Sequence, residues 1–141
     1  MTTFNIKATK ALADTTTIQL LDPSDDSPMF ADKGETKPLS IELYGRTSKQ
    51  YKNWLAKTLR KQQKEKEANR GKEKFKSLDE VLADSAEFLA TVSIKAINFD
   101  MGDGPIDNEE AFKKLYSDES LSWIGDQVSQ ALSENSNFLK N

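Results

Sequence analysis

Carboxylates crowd into one glycine-containing stretch of the C-terminal half, DMGDGPIDNEE. An EF-hand calcium loop needs oxygen ligands at positions 1, 3, 5 and 12 and a glycine at position 6. With Gly104 at position 6, Asp103 and Glu110 fit positions 5 and 12, but Phe99 and Met101 fall at positions 1 and 3. Two apolar side chains cannot supply these oxygen ligands. The stretch therefore predicts a turn that leads into a helix N-terminus, where acidic side chains favour the helix dipole.

Other residue patterns that could support catalysis are equally sparse. Paired carboxylates occur at Asp25-Asp26, Glu109-Glu110 and Asp118-Glu119, all in predicted loops or first helical turns, whereas acid–base catalysis usually needs a buried carboxyl group with a shifted pKa. The chain has no Cys and no His, and it has no phosphate-binding GxxxxGK or GxGxxG motif. We therefore predict no catalytic, cofactor-binding or metal-binding residues and no enzymatic activity.

Charge is distributed very unevenly along the chain. Residues 1–45 have a net charge of −3, residues 46–76 carry 12 basic and 3 acidic side chains for a net +9, and residues 77–141 have a net −9. The basic block is either a solvated helix face partly neutralised by the acidic segment or a docking surface for nucleic acid or an acidic partner. Tyr51 and Trp54 lie in the block at helical spacing with Leu55 and Leu59, which is typical of a core face, so we do not expect nucleic-acid binding.

Hydrophobic alternation predicts two strands in the first segment, at 17–20 and 39–44, joined as a β-hairpin by a long turn-rich loop. A basic helix should begin near Ser48, because Thr47 and Gln50 stand at capping-box spacing, and should continue as an arm without an apolar face before Gly71. Ser77 opens a second capping box and a long apolar helix.

This second helix has a predicted apolar face that is widened by Ala86 and Phe88 and otherwise consists of Leu78, Val81, Leu82, Leu89, Val92 and Ala96. Its tail, residues 92–99, is β-branched enough to be extended instead. Asp107 should begin a short helix, and Ser117 or Asp118 the last one. Trp123 and Phe138 lie outside the main apolar stripe of the C-terminal segment. Each could be a core residue or a residue that contacts a ligand.

These elements predict a mainly α fold, a small domain of about four helices preceded by an N-terminal β-hairpin. Three segments are expected, namely a hairpin region at 1–45, a basic helical arm at 46–76 and an acidic helical domain at 77–141. No run of about 20 apolar residues occurs, so we expect no membrane contact and a cytoplasmic protein.

Several stretches resemble one family of small proteins from tailed bacteriophages, the phage tail assembly chaperones. The stretches are Leu43–Tyr51, Ala86–Ala90, Ala111–Asp118, Ser120–Val128 and Ser136–Leu139, within a resemblance that spans most of 16–139. The resemblance implies a protein of the host bacterial cytoplasm, absent from the mature virion. It would bind the tape measure protein, keep it soluble and assist polymerisation of the tail tube protein around it. Trp123, Ile124 and Phe138 match the C-terminal pattern of the group and are the candidate partner-binding residues, although the pattern is also compatible with packing alone.

Two other functions remain open from the sequence. The protein could be a structural component of the phage tail or head–tail junction, with its hairpin added to the sheet edge of a neighbour. It could also bind nucleic acid through residues 46–76. Assembly into a homo-oligomer is compatible with the chaperone and structural hypotheses.

Overall fold

The structure, a computed structural model, describes residues 3–70 and 76–139; residues 71–75 of the predicted basic arm lie outside this part. The described chain forms five α-helices, two 3-10 helices and a three-stranded sheet. The elements are α1 (Ile6–Lys10), β1 (Thr15–Gln19), β2 (Ser40–Tyr44), α2 (Lys49–Ala68), α3 (Leu78–Thr91), β3 (Ser93–Ile97), α4 (Glu109–Ser117), a 3-10 helix (Glu119–Leu121), α5 (Ser122–Ser133) and a second 3-10 helix (Asn135–Phe138).

The sheet has the order β1-β2-β3, with both pairs antiparallel. The predicted hairpin is confirmed, since Ile18 of β1 lies opposite Ile41 of β2. The prediction of a mainly α fold is confirmed only in part. The protein is helix-rich, but it is a mixed α/β fold, because β3 pairs with the other edge of β2 and Ile41 lies opposite Ala96. The β-branched tail after α3 becomes this third strand, because β2 offers it a row of backbone donors and acceptors that the end of a helix lacks. The sheet therefore joins the first and third charge segments.

The four longer helices lie where the sequence predicts them, with small differences at their N-termini. Ser77 caps α3 as predicted, accepting a hydrogen bond of 3.2 Å from the Glu80 amide. The cap of α2 is Ser48 and not Thr47, because the Thr47 hydroxyl donates to Asp14, 2.7 Å away. Helix α4 is likewise capped by the residue after the predicted Asp107, an asparagine.

The core lies between one face of the sheet and the helices α3, α4 and α5. Its buried members are Leu20, Ile41, Leu43, Leu89, Ala90, Ile106, Phe112, Leu115, Ile124, Val128 and Ala131. Helix α2 has no buried residue. It contacts α3 through Tyr51 and Trp54, whose ring centroids lie 5.4 and 4.4 Å from that of Phe88. The core thus includes the hairpin and the acidic helices, while the basic helix lies outside it.

The apolar face predicted for α3 is buried only in its C-terminal half. Leu89 and Val92 are buried, whereas Leu78, Val81 and Leu82 keep 72%, 49% and 51% of their surface exposed. The first two turns of α3 therefore extend beyond the core.

Candidate functional site

An open cleft of about 350 Å³ lies where the loop between β1 and β2, the turn after β3 and the start of α5 meet. Its apolar lining residues are Leu20, Met29, Leu39, Phe99, Met101, Leu115, Leu121, Trp123 and Ile124, and its polar ones are Asp100, Asp118 and Ser120. Two of the three predicted partner-binding residues, Trp123 and Ile124, are thus in one cleft. We call it the Trp123 cleft.

The first wall of the Trp123 cleft is the loop between β1 and β2. Met29 is held within it by backbone hydrogen bonds of 3.0 Å, from its own amide to the Leu20 carbonyl and from the Leu39 amide to the Met29 carbonyl. The side-chain amide of Gln127 fixes the same loop to α5, since it accepts from the Leu21 amide at 2.9 Å and donates to the Leu21 carbonyl at 2.8 Å. A long loop is thereby held as a defined wall.

The second wall is the acidic turn after β3, which the sequence analysis compares with an EF-hand calcium loop. Gly102 and Gly104 have positive φ angles of 96° and 112°, a conformation that glycine adopts without strain, and the Gly102 amide donates to Asp100 at 2.7 Å. The carboxylate of Asp103 forms an ion pair with Lys114 of α4, whose ammonium group lowers the pKa of Asp103. The ion pair therefore attaches the turn to α4, and Met101 of the turn lines the cleft.

The third wall is the start of α5 with the 3-10 helix before it. Asp118 caps that 3-10 helix by accepting from the Ser120 amide at 3.0 Å, which fixes the direction in which the chain enters α5. Trp123 is partly exposed at the cleft, whereas Ile124 keeps only 4% of its surface and belongs to the core as well. A partner can therefore contact Trp123 directly and can reach Ile124 only from inside the cleft.

Phe138, the third predicted partner-binding residue, lies apart from the Trp123 cleft and is 5% exposed. Its ring packs directly against Gly45 at the end of β2, where a Cβ atom would come within 2.6 Å of Cδ1. The backbone around it is attached to the first strand region, because the Ala13 amide donates to the Phe138 carbonyl and the Thr16 hydroxyl to the Asn137 carbonyl. The structure thus places Phe138 as a packing residue.

Met29 and Met101 are cleft residues that lie outside every helix and strand predicted from the sequence. They come from a loop and a turn without hydrophobic periodicity, so no pattern marks them as parts of one surface. Methionine side chains are flexible and polarizable, and they adapt to apolar partners of different shape. Together with Trp123 they make a surface suited to bind apolar side chains from another protein.

Asp25 and Tyr116 have pKa values that are shifted by their local surroundings. Asp25 is fully exposed, and hydrogen bonds from the Ser27 hydroxyl and amide lower its pKa, the opposite of what a general acid requires. Burial raises the pKa of Tyr116 well above 10.0, and its hydroxyl lies 2.7 Å from that of Ser93 inside the fold. Among residues 3–70 and 76–139, no group of three or more Asp and Glu side chains could hold a metal ion.

One face of the basic helix is directed towards α3. Trp54, Lys57 and Lys61 of α2 line a cleft against Asp84 and Glu87 of α3. The ammonium group of Lys76 lies 2.6 Å from the Asp84 carboxylate and lowers its pKa. Since the rings of Tyr51 and Trp54 pack on Phe88, they do not form a free stacking platform for nucleic-acid bases.

No protein-family model, curated protein or solved structure matches the chain. Within the described ranges, no helix combines the length and the apolar character needed to cross a membrane.

Proposed function

We propose that the protein is a non-enzymatic phage tail assembly chaperone. In this role it binds the tape measure protein in the host bacterial cytoplasm, assists polymerisation of the tail tube protein around it, and is absent from the mature virion. The Trp123 cleft is the site where the tape measure protein binds.

The observation that supports this function best is the composition of the Trp123 cleft. Nine of its lining residues are aliphatic, thioether-containing or aromatic, and the three polar ones are Asp100, Asp118 and Ser120. A surface of this kind recognises apolar side chains without demanding one sequence, as a holdase must. A tape measure protein is a very long helical chain with apolar stripes, and covering such a stripe competes with its aggregation.

The first alternative, a structural protein of the tail or head–tail junction, relies on a free sheet edge. Each edge of the described sheet is partly occupied from within the chain. At β3 the Ala96 amide donates to the Ile106 carbonyl at 2.7 Å, and next to β1 an isolated bridge pairs Leu12 with Leu139. These contacts leave fewer backbone groups for a neighbouring strand, which favours the chaperone over the structural protein.

Co-expression with the tape measure protein of the same phage tests the proposal. The wild-type protein is expected to raise the soluble fraction of the tape measure protein and to co-purify with it. Trp123→Ala removes the partly exposed ring of the cleft and should reduce co-purification several-fold. Trp54→Ala is the matched control, since it removes the other tryptophan, which packs on Phe88 in a different cleft.

A spectroscopic form of the test separates binding from folding. In a Trp54→Phe variant the fluorescence reports only Trp123, because the chain has two tryptophans. Overlapping tape measure peptides should shift this emission to shorter wavelength, and Met101→Glu, which adds a charge to the cleft, should abolish the shift. Unchanged solubility of the tape measure protein and no co-purification with the wild type would contradict the function. The protein in purified virions, detected by mass spectrometry, would favour the structural alternative.

A further inference from the structure

A second groove, of about 320 Å³, lies on the other side of α3 from α2, between the first turns of α3 and the helix α5. Leu82, Ala86 and Leu89 of α3 form its apolar part, and Gly125 of α5 contributes to the opposite side. Leu82 keeps 51% of its surface exposed although it lies on the same helix face as the buried Leu89. We call this surface the acidic groove.

The charge of the acidic groove is uniform. Four carboxylates line it, Asp79 from α3, Asp118 and Glu119 from the 3-10 helix region, and Asp126 from α5. None of the described residues that line it is basic. An apolar surface bordered by carboxylates selects an apolar helix face bordered by lysines or arginines.

The chain itself carries such a face on α2. Lys52, Leu55, Leu59 and Lys66 follow one another at spacings of three, four and seven residues, so they share one side of the helix. All four are exposed, Leu55 by 45% and Leu59 by 58%. This side differs from the side that carries Lys57 and Lys61, which faces α3 across a cleft. We call it the free face of α2.

The free face of α2 cannot fill the acidic groove of its own chain. Trp54 and Phe88, with ring centroids 4.4 Å apart, hold α2 against one side of α3, whereas Leu82 and Ala86 open the groove on another side. Two complementary surfaces that cannot meet within one molecule can meet between two molecules.

We propose that the acidic groove binds the free face of α2 from a second copy of this chain. Leu55 and Leu59 of one copy cover the exposed Leu82 of the other, and the flanking lysines lie among the groove carboxylates. Because the two surfaces are different, the contact is head-to-tail. It uses the groove of one copy and the free face of the other, so a pair of copies keeps one groove and one free face for further copies. The proposal does not depend on the tape measure protein, since the acidic groove shares only Asp118 with the Trp123 cleft.

Sedimentation velocity of the purified wild-type chain is the first test. Self-association should increase with protein concentration and weaken as salt is raised, because the Debye length falls from about 10 Å at 0.1 M to about 3 Å at 1 M. A chain that stays monomeric up to millimolar concentration at low salt would overturn the proposal.

A charge exchange identifies the surfaces. Lys52→Glu/Lys66→Glu reverses the free face of α2, and Asp79→Lys/Asp126→Lys reverses the groove. Each double variant alone should weaken self-association by about tenfold or more. An equimolar mixture should restore association, because the lysine-bearing groove of one variant accepts the glutamate-bearing helix of the other. Circular dichroism checks that both variants are folded.

Lys33→Glu/Lys37→Glu is the matched control, because it makes the same charge change at two exposed loop positions outside both surfaces. It should associate like the wild type. Equal weakening by this control would show that total charge alone governs association. Failure of the mixture to associate would likewise contradict the contact, whereas failure of the tape measure test would leave it unaffected.

Discussion

Gly45, at the end of β2, packs so closely against the ring of Phe138 that it leaves no space for a side chain. A Cβ atom at this position would lie 2.6 Å from Cδ1 and 2.7 Å from Cε1 of Phe138, about 1 Å closer than two carbon atoms normally approach. The ring cannot easily retreat, because the Phe138 carbonyl and its neighbour at Asn137 accept hydrogen bonds from the first strand region. Gly45→Ala therefore overpacks a site that has little freedom to relax.

The expected cost follows from two opposing effects. Overpacking in a constrained core costs about 1 to 3 kcal/mol, and this rigid contact lies in the upper half of that range. Lower chain freedom in the unfolded state offsets roughly 0.5 kcal/mol. Gly45→Ala should thus lower the free energy of unfolding by about 2 kcal/mol in urea denaturation. For a chain of 141 residues this corresponds to a fall in Tm of roughly 7 °C.

A double-mutant cycle with Phe138→Val tests the cause. Valine has no δ or ε carbon, so the two ring atoms closest to Gly45 are removed, and Gly45→Ala should cost less than about 0.5 kcal/mol in that background. Gly34→Ala is the control, since its Cβ would lie 3.4 Å from an Asp32 oxygen in an exposed loop and should be nearly neutral. An equal cost of Gly45→Ala in both backgrounds would refute the reasoning.

Two further predictions concern a helix cap and a buried phenol. Ser48→Ala should lower the free energy of unfolding by about 1 to 2 kcal/mol, more than Ser77→Ala, because Ser48 is 1% exposed and its hydroxyl also donates to the Gly45 carbonyl at 2.6 Å; urea titrations of the two variants compare them. Burial raises the pKa of Tyr116 in the folded state, so stability should fall as the pH rises above about 10, where the unfolded phenol loses its proton first. Tyr116→Phe should weaken this fall in pH-dependent unfolding, and an unchanged slope would contradict it.

Local patterns predicted the parts of the fold that depend on neighbouring residues. The cap at Ser77 forms as expected, because an N-cap needs only a side chain and an amide three residues further along. Thr47 is not the cap of α2 because Asp14, 33 residues earlier, takes its hydroxyl. The extended conformation after α3 likewise depends on pairing with β2. The sequence of residues 92–99 alone is compatible with both helix and strand.

The candidate site shows the same limit. Trp123 and Ile124 match the C-terminal pattern of the family that the sequence resembles, and both lie at the cleft. Met29 and Met101 reach the same cleft from a long loop and an acidic turn, through hydrogen bonds and an ion pair that link distant parts of the chain. The exposure of Leu82 could not be predicted either, since the apolar pattern of a helix does not show at which residue the helix extends beyond the core.

The attachment of Asn137 and Phe138 to the first strand region also sets an order of events during synthesis. Thr16 and its acceptor Asn137 are 121 residues apart in sequence. At a translation rate of about 5 to 20 residues per second, Asn137 is therefore synthesised roughly 6 to 24 s after Thr16. Throughout that interval the outer edge of β1 and the space above Gly45 lack their cover. The newly made hairpin is then open to pairing with another nascent strand, so slower elongation before Asn137 should prolong its exposure.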